Sequence, residues 1–368
     1  NGIVTVFIQN SKMNGEAKKK YAVLECDEAW CRKVLPLLKP EVLLVTNLFR
    51  DQVDRFGSVE SPFSAIYEGL RHSPETTVCL NAEDAVSAAL SHDLPNPVSW
   101  YGLGDAAGGN QDDAAEETAV SCILCGAPLQ YRYQKYEHLG DFFCPSCGYK
   151  RRPPQICAEA ISEQTLSGTT FTLRTEEETR TVTVNQPALY NVYNAVGAFA
   201  AATAAGVSPE PIITALASFD CGFGRMEPFS LGEKGAQMVL IKIAAGANQV
   251  LSFLSKQTEA FQVVLLINNA PADGTDSSWI EETRFELLTE HPALKDVFVG
   301  GSCAEQVKRS LLDAGLSEEK IQAVSDLHRL AEAAEKASVK TFFLPNYTGM
   351  MSLRPVLLKR CGGKDFWE

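Results

Sequence analysis

Continuous apolar runs alternating with helix-patterned segments constrain this chain most. Residues 21–25 (YAVLE), 41–47 (EVLLVTN) and 77–81 (TVCLN) read as buried strands, with helices expected over 29–38 and 61–72. Strands that are apolar along their whole length need cover on both faces, which a parallel sheet with crossover helices provides. The alternation resumes at 238–243, 261–268, 296–299, 323–324 and 341–345. Two α/β units follow, the second doubly wound. Between them, 156–186 pattern as short antiparallel strands and 187–206 and 208–218 as two helices, with a boundary near 228–235 at Pro228 and Gly232. No internal repeat is visible, and 368 residues suit two domains plus a small insert. Ligands of such sheets bind beyond the carboxyl ends of strands. Three of these strands end in Glu25, Asn47 and Asn81, so chemistry is expected there.

A Gly/Ala/Asp/Glu-rich stretch over 104–120, expected to be a mobile loop, precedes a cysteine module at 121–152. Cys122-Ile123-Leu124-Cys125 and Cys144-Pro145-Ser146-Cys147 are 18 residues apart. Each C-x-x-C puts two thiolates on one tight turn, and two such knuckles close a tetrahedral zinc site. With four thiolates no coordination position stays open, so the metal is expected to be structural. Gly126 and Gly148 follow the second cysteine of each knuckle, where positive φ is needed. Tyr131, Tyr133, Tyr136 and Phe142 are expected to pack around the module, and His138 reads as a packing or surface residue, not a ligand. The other seven cysteines are scattered, as in a reducing compartment; Cys26, Cys79 and Cys221 read as small buried hydrophobes.

The formal charge of −13 excludes general nucleic-acid binding, even though the module carries Arg132, Lys135, Lys150, Arg151 and Arg152. No apolar run reaches 18 residues, so no membrane span is expected. The start shows no signal-peptide pattern and no initiator Met, which points to a start further upstream.

Five segments carry a resemblance. They are Asn47-Leu48-Phe49-Arg50-Asp51-Gln52-Val53-Asp54-Arg55-Phe56-Gly57, Asn81-Ala82-Glu83-Asp84, Tyr190-Asn191-Val192-Tyr193-Asn194-Ala195, Gly224-Arg225-Met226-Glu227 and Ala272-Asp273-Gly274-Thr275-Asp276-Ser277-Ser278-Trp279-Ile280. In this order, and with a four-cysteine insert, they resemble Mur ligases of the MurT subgroup along nearly the whole chain. The resemblance implies a Mur ligase central domain (1–120 and 153–228) with a zinc ribbon inserted at 121–152, and a C-terminal α/β domain at 229–368. It implies amidation of the D-glutamate α-carboxylate of lipid II through an acyl phosphate. ATP and Mg²⁺ serve as cofactors, and a GatD-like glutaminase partner supplies ammonia. The location implied is cytoplasmic, at the membrane only through the lipid-linked substrate.

A carboxylate is a poor electrophile, and its phosphorylation needs metal and positive groups around the phosphate. Glu25 and Asp51 are candidates for the metal or phosphate site, with a helix-capping or solvated carboxylate as the alternative for Glu25. Asn47 ends its strand at the same site. Asn191 and Asn194 share one helical face, and an Asn amide can both donate to and accept from adenine. Arg225 is a candidate nucleotide contact and Lys242 a candidate phosphate contact, each against a solvated reading. By the resemblance, Asp276 is the carboxylate lent to the partner's Cys–His pair; capping of the turn that follows is the competing reading, and Asp273 the alternative residue.

Three departures stand out. The G-T-N-G-K-T phosphate loop that opens a Mur central domain is absent, so the chain as written is expected to bind ATP poorly and to be inactive alone. Tyr190 replaces a His, and Lys242-Ile243-Ala244-Ala245-Gly246-Ala247-Asn248 replaces K-N-P-A-G-x-N. A folylpolyglutamate-type amino-acid ligase and an inactive scaffold for a glutaminase are the other readings.

Overall fold

The structure is a computed structural model describing residues 2–48, 60–105, 107, 120–136, 138–165, 168–219, 224–289 and 291–362. The first unit opens with α1 (Gly2–Gln9), α2 (Cys31–Leu38), β1 (Val42–Val45), α3 (Glu60–Arg71), β2 (Thr77–Asn81), α4 (Ala85–Ala88) and β3 (Val98–Leu103). The hairpin β4 (Gln130–Tyr136) and β5 (Leu139–Phe143) comes next. It is followed by β6 (Ile156–Gln164), β7 (Thr169–Arg174), β8 (Thr179–Val184), α5 (Leu189–Ala204) and α6 (Pro209–Ser218). The sheet runs β1-β2-β3-β6-β7-β8. Its first four strands are parallel, and β7 and β8 complete it antiparallel. Side chains on β1 alternate as strand geometry demands. Leu43 and Val45 pack with Leu35, Ile66 and Leu70 of α2 and α3, whereas Val42 and Leu44 pack with Val192 and Val196 of α5. The sheet is thus covered on both faces, and its carboxyl edge is left for ligands.

One expected strand is missing. Residues 21–25 have no regular structure, and Tyr21 and Val23 are 57% and 99% exposed. An apolar run becomes a strand only when a neighbouring backbone completes its ladder. Among the described residues β1 is the edge of the sheet and pairs with β2 alone. Glu25 is therefore exposed on an irregular segment, away from any strand end.

The second unit contains β9 (Arg225–Phe229), β10 (Ala236–Val239), α7 (Ala244–Leu254), β11 (Phe261–Leu266), α8 (Glu286–Thr289) and β12 (Leu294–Gly300). It continues with α9 (Ala304–Asp313), β13 (Ile321–Ala323), α10 (Leu327–Glu335), β14 (Lys340–Pro345) and α11 (Tyr347–Cys361). The order β13-β12-β11-β14-β10-β9 is parallel apart from β9, which pairs antiparallel with β10. Residues 225–228 therefore hydrogen-bond into this second sheet, ahead of the boundary expected near 228–235. Apolar clusters lie on both faces. The strand order reverses at β11 and β14, so the crevice of this sheet opens beyond Leu266 and Pro345.

Glu227 and Arg354 form a buried pair that ties β9 to α11. Arg354 Nη2 lies 2.9 Å from Glu227 Oε1, and Arg354 Nε donates to both carboxylate oxygens at 3.0 and 3.2 Å. Glu227 Oε2 also accepts from Gly224 N at 3.0 Å, which fixes the turn before β9. Removing one partner leaves an uncompensated buried charge. Arg354→Met is expected to cost roughly 3–5 kcal/mol of stability, read as a lowered denaturation midpoint. A midpoint equal to wild type would show that the pair contributes nothing net.

Candidate functional site

The four cysteines of the module converge. Cys122 Sγ and Cys147 Sγ are 3.7 Å apart, Cys125 Sγ and Cys144 Sγ are 3.5 Å apart, and all four sulfurs lie within 4.8 Å of one another. Tetrahedral Zn–S bonds of about 2.3 Å place sulfurs about 3.8 Å apart, whereas a disulfide needs about 2.05 Å. The donor set therefore fits one zinc ion and not two disulfides. Each knuckle is closed by backbone bonds: Gly126 N donates to Cys122 O at 2.7 Å and Gly148 N to Cys144 O at 3.1 Å. Gly126 and Gly148 have φ of +77° and +78°, as the turns require. Backbone amides of Cys147 and Ser146 lower the Cys144 thiol, whereas burial pushes the Cys122 thiol up. Tyr131 and Phe142 pack beside the knuckles as expected, joined by Tyr149. Tyr133 points elsewhere, donating to Asp105 Oδ1 at 2.6 Å.

The module lies against the carboxyl end of β2. His138 is 8% exposed, and its Nε2 donates to Asp84 Oδ1 at 3.2 Å. Asp84 is fully buried; it caps α4 through Val86 N at 3.0 Å and accepts from Leu48 N at 2.8 Å. Burial alone would raise its pKa, but the bonds from His138, Ser87 and Leu48 hold it below the ordinary aspartate range. Glu83, also fully buried, accepts from Leu103 N at 2.8 Å and Tyr193 Oη at 2.9 Å. Its Oε1 faces Lys135 Nζ at 3.3 Å and Arg151 Nη2 at 3.8 Å, as ion pairs without aligned hydrogen bonds. Lys135 Nζ donates to Gly104 O, and burial lowers its pKa. Sequence reasoning singled out neither carboxylate for this role. The available signal was two consecutive acids directly after an apolar strand.

The residues expected around a nucleotide stand as follows. Asn47 is half-buried just beyond β1. Asn191 is buried in the first turn of α5, where its Nδ2 donates to Pro187 O at 2.5 Å. Asn194 is half-buried one turn on, so it is the more accessible amide for a base. Ala188, just ahead of α5, has φ +76°, a conformation costly for a residue with Cβ and seen mostly where function demands it. Asp51 lies outside the described residues, as does the side chain of Arg225, whose backbone opens β9. Lys242 is exposed just before α7. Its neighbour Ile241 N donates to Pro345 O at 2.9 Å, and Leu240 N to Gly224 O at 2.5 Å. The Gly224 turn, the start of α7 and the end of β14 thus meet at the carboxyl edge of the second sheet.

At the crevice of that sheet, the loop after β11 is held by polar contacts. Asn346 Oδ1 accepts from Asn268 N at 3.1 Å, and Asn268 Oδ1 from Ser302 N at 2.9 Å. Asp273 is buried and committed: its Oδ1 accepts from Thr348 N at 2.8 Å and its Oδ2 from Thr348 Oγ1 at 2.5 Å. The carboxylate therefore sits on the N-terminus of α11, where the helix dipole favours it. Asp276 differs. It is exposed, with one oxygen accepting from Ser278 N at 2.8 Å, and the backbone and hydroxyl of Ser278 together lower its pKa. The expected capping of the following turn and availability to a second molecule are thus compatible. An open cavity lined by Ser255, Lys256, Glu286, His291 and Lys295 lies before β11 and β12, at the amino ends of the strands and away from this edge. Among the described residues no helix is long and apolar enough to cross a membrane.

A family profile described as MurT ligase C-terminal matches residues 240–350. The chain is 30% identical over 360 residues to a lipid II isoglutaminyl synthase (glutamine-hydrolysing) subunit MurT of Streptococcus pneumoniae, covering 98% of this chain and 78% of that one. A Staphylococcus aureus subunit of the same description is 30% identical over 357 residues, covering 97% of this chain and 77% of that one. Among solved structures, a pseudomurein peptide ligase type C from Methanothermus fervidus superposes with a TM-score of 0.63 at 19% identity, over 88% of this chain and 64% of that one. MurF from Acinetobacter baumannii gives 0.61 at 18% identity, over 89% and 62%. The chain thus spans less than two thirds of these two solved ligases, and at such identities they speak for the fold alone.

Proposed function

The chain belongs to the MurT family of Mur-type ligases, and from that footing we propose that it is the synthetase subunit of a lipid II isoglutaminyl synthase. The reading is carried by the end-to-end match to two MurT subunits, which runs through both sheets and the cysteine module. The substrate is the D-glutamate α-carboxylate of the lipid II stem peptide. ATP, when bound with Mg²⁺, supplies the phosphoryl group that converts this carboxylate into an acyl phosphate; ammonia then forms the C–N bond as phosphate leaves.

Residues 1–120 and 153–224 are assigned to nucleotide and substrate binding, 121–152 to the zinc ribbon and 225–368, which includes β9, to the C-terminal unit. Asn194 suits the adenine edge through its amide, with Asn191 shaping the same helix from below. Asn47 lines the strand end; Asp51 is assigned to the metal, and Arg225 and Lys242 to the phosphates from the C-terminal side, whereas Glu25, exposed on an irregular segment, has lost the strand-end place that made it a candidate. Cys122, Cys125, Cys144 and Cys147 hold zinc.

Ammonia is assigned to a GatD-like glutaminase partner. Within that complex Asp276 orients and stabilises the imidazolium of the partner's Cys–His pair, the role an acid plays behind any such base. The enzyme works on the cytoplasmic side and meets the membrane through its lipid-linked substrate. The test is to purify the natural full-length protein with its glutaminase, supply lipid II, ATP, Mg²⁺ and glutamine, and weigh the product. Conversion of one carboxylate to an amide is expected. Product of unchanged mass would reject amidation.

A further inference from the structure

We propose that the zinc hairpin is a positioning element for the nucleotide-binding segments, acting through the buried carboxylates Glu83 and Asp84. The proposal rests on the reading above in taking the ends of β1 and α5 as nucleotide segments.

A module that needed only anchoring could sit on any outer surface. This one enters the core: Leu139 is buried among Tyr101, Val192 and Val196, and Cys122, Phe142 and Cys144 pack on Ala85 and Ala88 of α4. Its polar contacts reach two neighbouring strand ends: Lys135 and Tyr133 meet Gly104 and Asp105 beyond β3, and a larger set meets the end of β2. Gly140 N donates to Glu83 O at 3.0 Å, Tyr149 Oη donates to Ala85 O at 2.7 Å, and His138 and Lys135 face the two acids. Besides Val86 N on Asp84 and Leu103 N on Glu83, one bond of each acid leads away to an expected ligand segment. Asp84 holds the amide of Leu48, the residue after Asn47. Glu83 holds the hydroxyl of Tyr193, the residue before Asn194.

Burying two carboxylates is costly unless donors and cations compensate for lost water. Lys135, Arg151 and His138 supply that compensation, the first and last from the hairpin itself. Without the hairpin in place, Glu83 and Asp84 would turn toward water, releasing Leu48 and Tyr193 from their fixed positions. Glu83, Asp84, Lys135 and His138 are thus positioning residues, since the contacts described for them are with other protein groups.

The experiment compares the full-length protein with His138→Ala, and with His138→Gln as a variant that keeps a donor. Zinc is counted per chain, amide exchange is followed by mass spectrometry, and amidation kinetics are measured with ATP varied. With zinc retained, His138→Ala is expected to speed exchange over 43–48, the segment that Asp84 holds. It is also expected to raise KM for ATP about tenfold at unchanged kcat, as misplaced binding groups do; His138→Gln recovers most of both. Exchange that rises only within 121–152, or an unchanged KM for ATP, overturns the proposal. The exchange result needs no nucleotide. A wild-type protein with no use for ATP would therefore refute the functional reading while coupling between hairpin and sheet is still decided.

Discussion

Asp276→Asn is expected to lower glutamine-dependent amidation by roughly 10³–10⁴-fold while leaving amidation from free ammonium within about twofold of wild type. The asymmetry follows from where the side chain sits. Its carboxylate is exposed and held by Ser278, whose backbone N donates to it in a bond that an Asn carbonyl oxygen also accepts. The substitution therefore preserves the turn and removes only the charge. A neutral amide cannot stabilise an imidazolium, and it also favours the wrong tautomer of a histidine beside it. Ammonium bypasses the glutaminase, so the ligase half-reaction reports on folding in the same sample. Equal loss from both nitrogen sources, or none from glutamine, would remove Asp276 from the partner's site. Asp273→Asn is the informative control. Its two oxygens accept from Thr348 at the N-terminus of α11, so an amide there loses the charge that the helix end favours and turns the hydroxyl bond around, which should depress both activities together.

The second large effect concerns the metal. Cys144→Ser is expected to take the protein from about one zinc per chain to nearly none, because one hard hydroxyl among three thiolates no longer completes the tetrahedral site. Metal binding is folding free energy for so small a module, of order 10 kcal/mol in isolated zinc peptides. The hairpin β4–β5 is a two-stranded sheet of its own, too small to stand without help. Loss should therefore appear as exchange of its amides at near-unprotected rates, together with a lower midpoint of thermal unfolding. Full zinc content in Cys144→Ser would rule out the four-sulfur site.

The knuckles were legible because a C-x-x-C turn is a local event; spacing and one glycine at positive φ suffice. The five parallel strands of the second sheet were legible because each carries its own apolar run, with ends differing from expectation by only a few residues; β9 carries no such run and was not expected. Asp276 was singled out through a motif, and it lies exposed on the turn before Ser278. Tyr21–Glu25 was read as a strand on the same grounds and is not one, since a ladder requires a neighbour that no local pattern can promise.

What only the tertiary structure decided is what each polar residue at a strand end touches. His138 read as packing or surface, and it packs, yet its partner is 54 residues away at Asp84. Asn191 and Asn194 share a helix face but not an environment, because one turn of α5 separates a buried amide from an accessible one. Local propensity and spacing are properties of short segments, so the chain wrote its elements and its zinc knuckles in plain order. The pairing of Glu83 with Lys135 and Tyr193 joins segments 52 and 110 residues apart. Such contacts follow from how the layers stack, and that stacking was settled by burial in three dimensions.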